Sequence, residues 1–254
     1  MRDVLFALRS GFGFLSTIPV GISMEGIEAL MRHLYVFPLV GAVLGLIFGA
    51  VAYLGMQALP PTLAAVLVLV AIYRVCGINH IDGLADFGDG VTAHGTLEKK
   101  LQAMKDVNLG TGGGVFIALI LIAMFSLLTN LDQSVLPLAL VAAEVTAKQS
   151  MIAFASFSAP MQKGLGQMMI QKAGIHHFVL GLLISSLVCL ALLGLLGLAM
   201  LIAGVVSSLY LVLVSRRNFG GGSGDGLGAA NEIARAVSLA AALALAGVLP
   251  WMLW

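Results

Sequence analysis

The sequence predicts an all-α integral membrane protein, a polytopic bundle of about seven transmembrane helices forming one domain over residues 1–254. Three observations predict it. Of 254 residues, 60% are hydrophobic and only 10% charged, where a soluble domain carries about 25% charged residues. The mean hydropathy is +1.05, and the apolar residues fall into runs long enough to cross a bilayer, for which roughly 20 helical residues suffice. These runs are too continuous and too rich in glycine for barrel strands.

The elements follow in order. The opening stretch MRDVLFALRSGFGFLSTIPV begins charged and turns apolar, but Arg9 interrupts it and no small-residue cleavage pattern follows. It reads as an interfacial helix rather than a signal peptide. Hydropathy then places spans near 34–58, 61–91, 110–130, 135–159, 177–196, 197–214 and 236–254. The apolar run 178–214 is roughly twice one span's length. It is therefore divided near Gly194 to Gly197, with a merged or re-entrant segment as the alternative. Between the second and third spans, TLEKKLQAMKDV sets Leu97, Leu101, Met104 and Val107 in an apolar stripe with Thr96 as cap. That pattern predicts a short amphipathic helix along the membrane surface.

Charge supplies an orientation. With the N-terminus in the cytoplasm, Arg2, Arg9, Arg32, Lys99, Lys100, Lys105, Lys163, Lys172, Arg216, Arg217 and Arg235 all fall on the cytoplasmic side. The opposite loops, around Pro60 and Pro61, 130–134 and 194–197, contain no Lys or Arg. Trp251 and Trp254 then belong to the far interface, as an aromatic belt. Cys76 and Cys189 lie inside spans and suggest neither a disulfide framework nor a metal site. A net charge of +1 leaves no nucleic-acid footprint.

The chemistry concentrates in HIDGLADFGDG, residues 80–90. On a helix Asp82, Asp86 and Asp89 stand at i, i+4 and i+7 and share one face. Three like charges repel, and an acid near the bilayer costs roughly 2.5–3.5 kcal/mol on an insertion scale. Something must neutralise them. Carboxylate oxygens favour a hard divalent cation such as Mg²⁺, Mn²⁺ or Ca²⁺; the plain alternative is a loop of solvated acids. A fourth acid, Asp106, follows in MKDVNLGTGGG, where the amphipathic helix can return it and Lys105 to the cluster. Gly110, Gly112, Gly113 and Gly114 either present backbone amides to a phosphate at a helix start or are ordinary membrane-helix glycines.

Other polar positions remain open between two roles. His80 either offsets phosphate charge or makes a structural hydrogen bond. Asp225 lies in FGGGSGDGLGAA, which is either a flexible phosphate-cradling loop or a simple turn. Glu144 and Lys148, at i and i+4 inside a span, are expected to neutralise each other, with a substrate contact as the alternative.

Five segments carry a family resemblance in chain order: FLSTIPV at 14–20, YVFPLVGAVLG at 35–45, HIDGLADFGDG at 80–90, MKDVNLGTGGG at 104–114 and GGGSGDGLGAANE at 220–232. Together they resemble the cobalamin synthase family, the adenosylcobinamide-GDP ribazoletransferases. More distantly, DFGDGVTAH resembles the D-x-x-D-G-x-x-A-R signature of CDP-alcohol phosphotransferases, with His94 in the arginine position and Gly110 where a fourth aspartate belongs. The resemblance implies a membrane-bound, Mg²⁺-dependent transferase that joins α-ribazole, or its 5′-phosphate, to adenosylcobinamide-GDP and releases GMP. It implies metal held by Asp86, Asp89 and Asp106 with Asp82 beside them, and by superfamily analogy a homodimer. Asp82 is then the first candidate for base or proton acceptor, Asp225 its rival, and Lys105 a cation for phosphate charge. The competing classes are a phospholipid-forming CDP-alcohol phosphotransferase and a cation-coupled transporter. The transporter is disfavoured because the acids sit at one face rather than the midplane.

Overall fold

The computed structural model describes residues 2–161 and 165–249. Lys163, Trp251 and Trp254, assigned to the two interfaces above, lie outside the described residues. Eleven helices account for nearly everything described: α1 (Arg2–Leu15), α2 (Met24–Arg32), α3 (Phe37–Ala58), α4 (Pro61–Cys76), α5 (Asn79–Thr92), α6 (Leu97–Met104), α7 (Thr111–Asn130), α8 (Leu136–Phe157), α9 (Leu165–Lys172), α10 (Ile175–Phe219) and α11 (Gly224–Leu245). Among the described residues, five helices are long and apolar enough to cross a bilayer, or six if the bent pair α4 and α5 counts as one span.

The centre of the bundle is α8, buried along almost its whole length against α3, α10 and α11. Small residues let backbones approach where lipid offers no hydrophobic drive between helices. Gly41, Gly45 and Gly49, one turn apart on α3, lie against the α8 backbone at Glu144, Val141 and Pro137. A methyl group added at any of them would come within 2.6 Å of those atoms. The order of these contacts shows that α3 and α8 run antiparallel.

The 45-residue α10 is not one rod. At about 1.5 Å per residue a straight helix of that length would be roughly twice the thickness of the hydrocarbon core. Leu193 and Gly194 leave helical geometry, Gly194 with φ +55°. Beyond the break the chain doubles back: Gly181 on the first arm and Ser208 on the second meet the same stretch of α8, at Gln149 and Ile152 and at the Ser150 carbonyl. The division expected near Gly194 is therefore present.

The expected span 61–91 departs from a straight helix. It breaks at Gly77, where φ is +73°, and α5 leaves α4 at 93°. The linker after α1 serves the break, because Thr17 donates its N–H to the Val75 carbonyl at 2.7 Å and its hydroxyl to the Arg74 carbonyl at 2.9 Å. Those carbonyls close α4 and would otherwise lack partners. Residues 220–228 also differ from expectation. The helix α11 begins at Gly224, capped by the Ser223 hydroxyl, which accepts the Gly226 N–H at 3.1 Å. Asp225 thus stands on a helix and not in a flexible loop.

Candidate active site

The expected face on α5 forms: Asp82 is exposed, and Asp86 and Asp89 are half-buried along the same helix. The first turns of α11 pack directly over it. A Cβ on Gly83 would lie 3.1 Å from the Asp225 Cα, and one on Gly228 would lie 2.8 Å from the His80 carbonyl oxygen. Only glycine permits this approach, and it brings Asp225 beside the α5 acids. The charges acting on Asp86 are those of Asp225, Asp82 and Asp89. Asp225 in turn takes a hydrogen bond from Ser223 and feels Asp82 and the cation Lys105. The acidic face is thus assembled from two helices far apart in sequence, with Lys105 at its edge.

Asp89 stands in this face but is already engaged. Its carboxylate accepts the Gly110 and Gly113 N–H groups, each at 2.8 Å, and so caps the start of α7. A carboxylate there satisfies orphan amides and complements the helix dipole. The amides expected to meet a phosphate at Gly110 and Gly113 are therefore taken from within the chain. Gly112 serves close packing, since a Cβ there would fall 1.9 Å from the Thr92 hydroxyl. Asp106 is engaged locally. It is exposed on the linker after α6, where its carboxylate accepts the backbone and side-chain N–H groups of Asn108 at 2.9 Å each, and those bonds hold its carboxyl below the usual range. The charges acting on His80 are Lys148, Arg235 and Glu144, and its Nδ1 is buried without a hydrogen-bond partner. The residue as a whole is half-buried.

The interior of the bundle holds what the charge pattern misassigned. Arg235, grouped above with the cytoplasmic cations, is fully buried and ion-paired to Glu144. Its Nη1 donates to Glu232 Oε2 at 2.6 Å. Lys148 Nζ donates to Glu144 Oε2 at 3.0 Å and to Asn231 Oδ1 at 2.7 Å. Asn231 Nδ2 donates to Glu232 Oε1 at 2.9 Å, and the Tyr73 hydroxyl donates to Glu232 Oε2 at 3.2 Å. The Glu144 and Lys148 pair is real, but it is half of a balanced quartet. The signal for the other half was the i, i+3 spacing of Glu232 and Arg235 in an otherwise apolar run.

Two regions thus lie within two turns of one another on α11, one acidic and half-open, one neutral and closed. Among the described residues, no three His, Cys, Asp or Glu side chains are placed to hold one metal ion. The donor chemistry of the acidic face nonetheless suits a hard cation, with carboxylates contributed by both α5 and α11.

The chain is thus an α-helical membrane protein whose acidic face is built by two helices. The family described as cobalamin-5-phosphate synthase matches residues 7–243, and the chain belongs to that family. A protein of Methanosarcina mazei named adenosylcobinamide-GDP ribazoletransferase is 44% identical, covering 94% of this chain and 92% of its own length. Proteins of the same name from Methanococcoides burtonii and Archaeoglobus fulgidus are 43% and 38% identical, covering 94% and 91% of this chain and 92% and 94% of their own lengths. No solved structure matches.

Proposed function

We propose that this chain transfers the phosphocobinamide part of adenosylcobinamide-GDP to α-ribazole, or to α-ribazole 5′-phosphate, and releases GMP. Family membership supports the reaction. The observation that carries the site is the packing of the Asp225 backbone on α11 against Gly83 on α5, between Asp82 and Asp86. A diphosphate is strongly anionic, so an acidic face can receive it only with cations between them. Magnesium would be held by one or two carboxylates of this face, from Asp82, Asp86 and Asp225, together with diphosphate oxygens, and when bound it would neutralise diphosphate charge and favour departure of GMP. The capping role of Asp89 leaves it holding α7 in place beside that set.

The chain's own residues then bind, orient and take a proton. A ribose hydroxyl of the acceptor attacks the corrinoid-side phosphorus, forming one P–O bond as the P–O bond to GMP breaks in line with it. The hydroxyl proton passes to a carboxylate, for which Asp82, the most exposed of the face, is assigned and Asp225 is the rival. Lys105, across from Asp225, offsets charge on the phosphates.

The face opens toward the cytoplasm of the cell membrane in this reading. Support comes from the cations at its end of the bundle: Lys99 and Lys100 lie on α6 with Lys105 just after it, and Lys100 Nζ donates to Asn218 Oδ1 beside Arg216 and Arg217. Purified protein in lipid should release GMP from adenosylcobinamide-GDP only when α-ribazole or its phosphate and Mg²⁺ are both present. Release of CMP from a CDP-alcohol, with no GMP from the corrinoid substrate, would contradict the reading.

A further inference from the structure

We infer that Glu232 and Tyr73 are positioning residues for the transfer reaction: through the buried quartet they fix α11 against the α4–α5 break and so set where Asp225 stands opposite Asp82 and Asp86. The inference rests on the activity proposed above. Its starting point is the close approach of α5 and α11 at Gly83 and Gly228. Such a contact sets how near the two helices lie, but it is non-directional and fixes their register along the axis less sharply than hydrogen bonds do.

Directional bonds fix that register deeper in the bundle. Glu232 is the node, because both its oxygens are used: Oε2 accepts from Arg235 and from the Tyr73 hydroxyl, and Oε1 accepts from Asn231. Glu232 follows Asp225 by two helical turns, i to i+7, and so lies along the same face of α11. Tyr73 sits in the last turns of α4, just before Gly77 turns the chain into α5. The Asn231 and Arg235 bonds to Glu232 lie within α11 and orient its carboxylate, whereas a slide of α11 along its axis would break the Tyr73 bond to α4 and the Arg235–Glu144 and Lys148–Asn231 bonds to α8. The quartet also sets two acids, Glu144 and Glu232, against two bases, Lys148 and Arg235, so it has no net charge with which to attract a ligand. Its remaining consequence is geometry.

The test uses full-length protein in lipid nanodiscs, with nitroxide labels on cysteines introduced at Thr92 of α5 and Ala240 of α11, both exposed. Pulsed EPR reads the distance between the helices, and GMP release reads the reaction. Tyr73→Phe removes one oxygen and keeps the four charges balanced. It should broaden or shift the distance distribution and lower kcat several-fold, with KM for adenosylcobinamide-GDP little changed. Glu232→Gln should do the same more strongly, with a loss in kcat on the order of 10²-fold, the scale of a small misplacement of reacting groups. A Tyr73→Phe protein with the original distribution overturns the inference, whether kcat holds or falls. If the unsubstituted protein releases no GMP, the proposed activity fails, while the EPR comparison still decides whether Glu232 and Tyr73 set the helix geometry.

Discussion

The two charged regions of this bundle differ in one respect that orders everything else. The acidic face of α5 and α11 gathers Asp82, Asp86, Asp89 and Asp225 with Lys105 at its edge. The interior beneath it sets two acids against two bases, all buried and bonded to one another. A charge-balanced buried group has no net charge for a ligand to neutralise, although Arg235 Nη2 is buried without a hydrogen-bond partner among the described residues. An unbalanced one held half-open attracts charge from outside, and the proposed function places the transfer there.

Substitutions test the contrast. The largest effect is expected at Asp86, which faces the other acids from both helices. Asp86→Asn should lower the rate of GMP release at least 10²-fold, in the range general-base or ligand loss produces. The folded protein should melt no lower than the original, since a repulsion has been removed. A clear fall in melting temperature with activity retained would reverse the roles of the two regions.

Arg235→Met should behave in the opposite way. It leaves Glu232 and Glu144 buried with one base between them, and breaking a buried pair costs about 3–5 kcal/mol. Denaturation in detergent should detect that loss directly. A smaller change is expected at Asp89, whose carboxylate holds the Gly110 and Gly113 amides. Asp89→Ala removes a helix cap, for which about 1 kcal/mol is typical. Amide hydrogen exchange should rise in the first turn of α7 and not along α8. Protection unchanged at Gly110 and Gly113 would show that those bonds do not form in solution.

Much of this was legible in the residues, and the rest was hidden for definite reasons. Hydropathy finds helices because lipid demands long apolar runs. The Asp82, Asp86 and Asp89 face follows from helical period alone, and the break at Gly194 from the excess length of one run. The bend at Gly77 escaped because a hydropathy window averages across a corner. Arg235 was misassigned because loop-charge counting weighs sign and not burial, and its partner Glu144 lies 91 residues away. The glycines at 220–228 read as a loop when several serve close packing, with Ser223 as the cap that starts α11. The capping of α7 by Asp89 spans 21 and 24 residues, a pairing that no local pattern reveals.

The measurement closest to the central claim is the melting temperature of the purified protein as Mg²⁺ is titrated, for the original chain, Asp86→Asn and Glu232→Gln. A cation that binds only the folded state raises stability with its concentration. The account predicts that Mg²⁺ raises the melting temperature of the original chain and of Glu232→Gln, from a lower starting point in the latter, and leaves Asp86→Asn unmoved. An equal rise in Asp86→Asn would contradict it, because the acidic face would then not be where the ion is held.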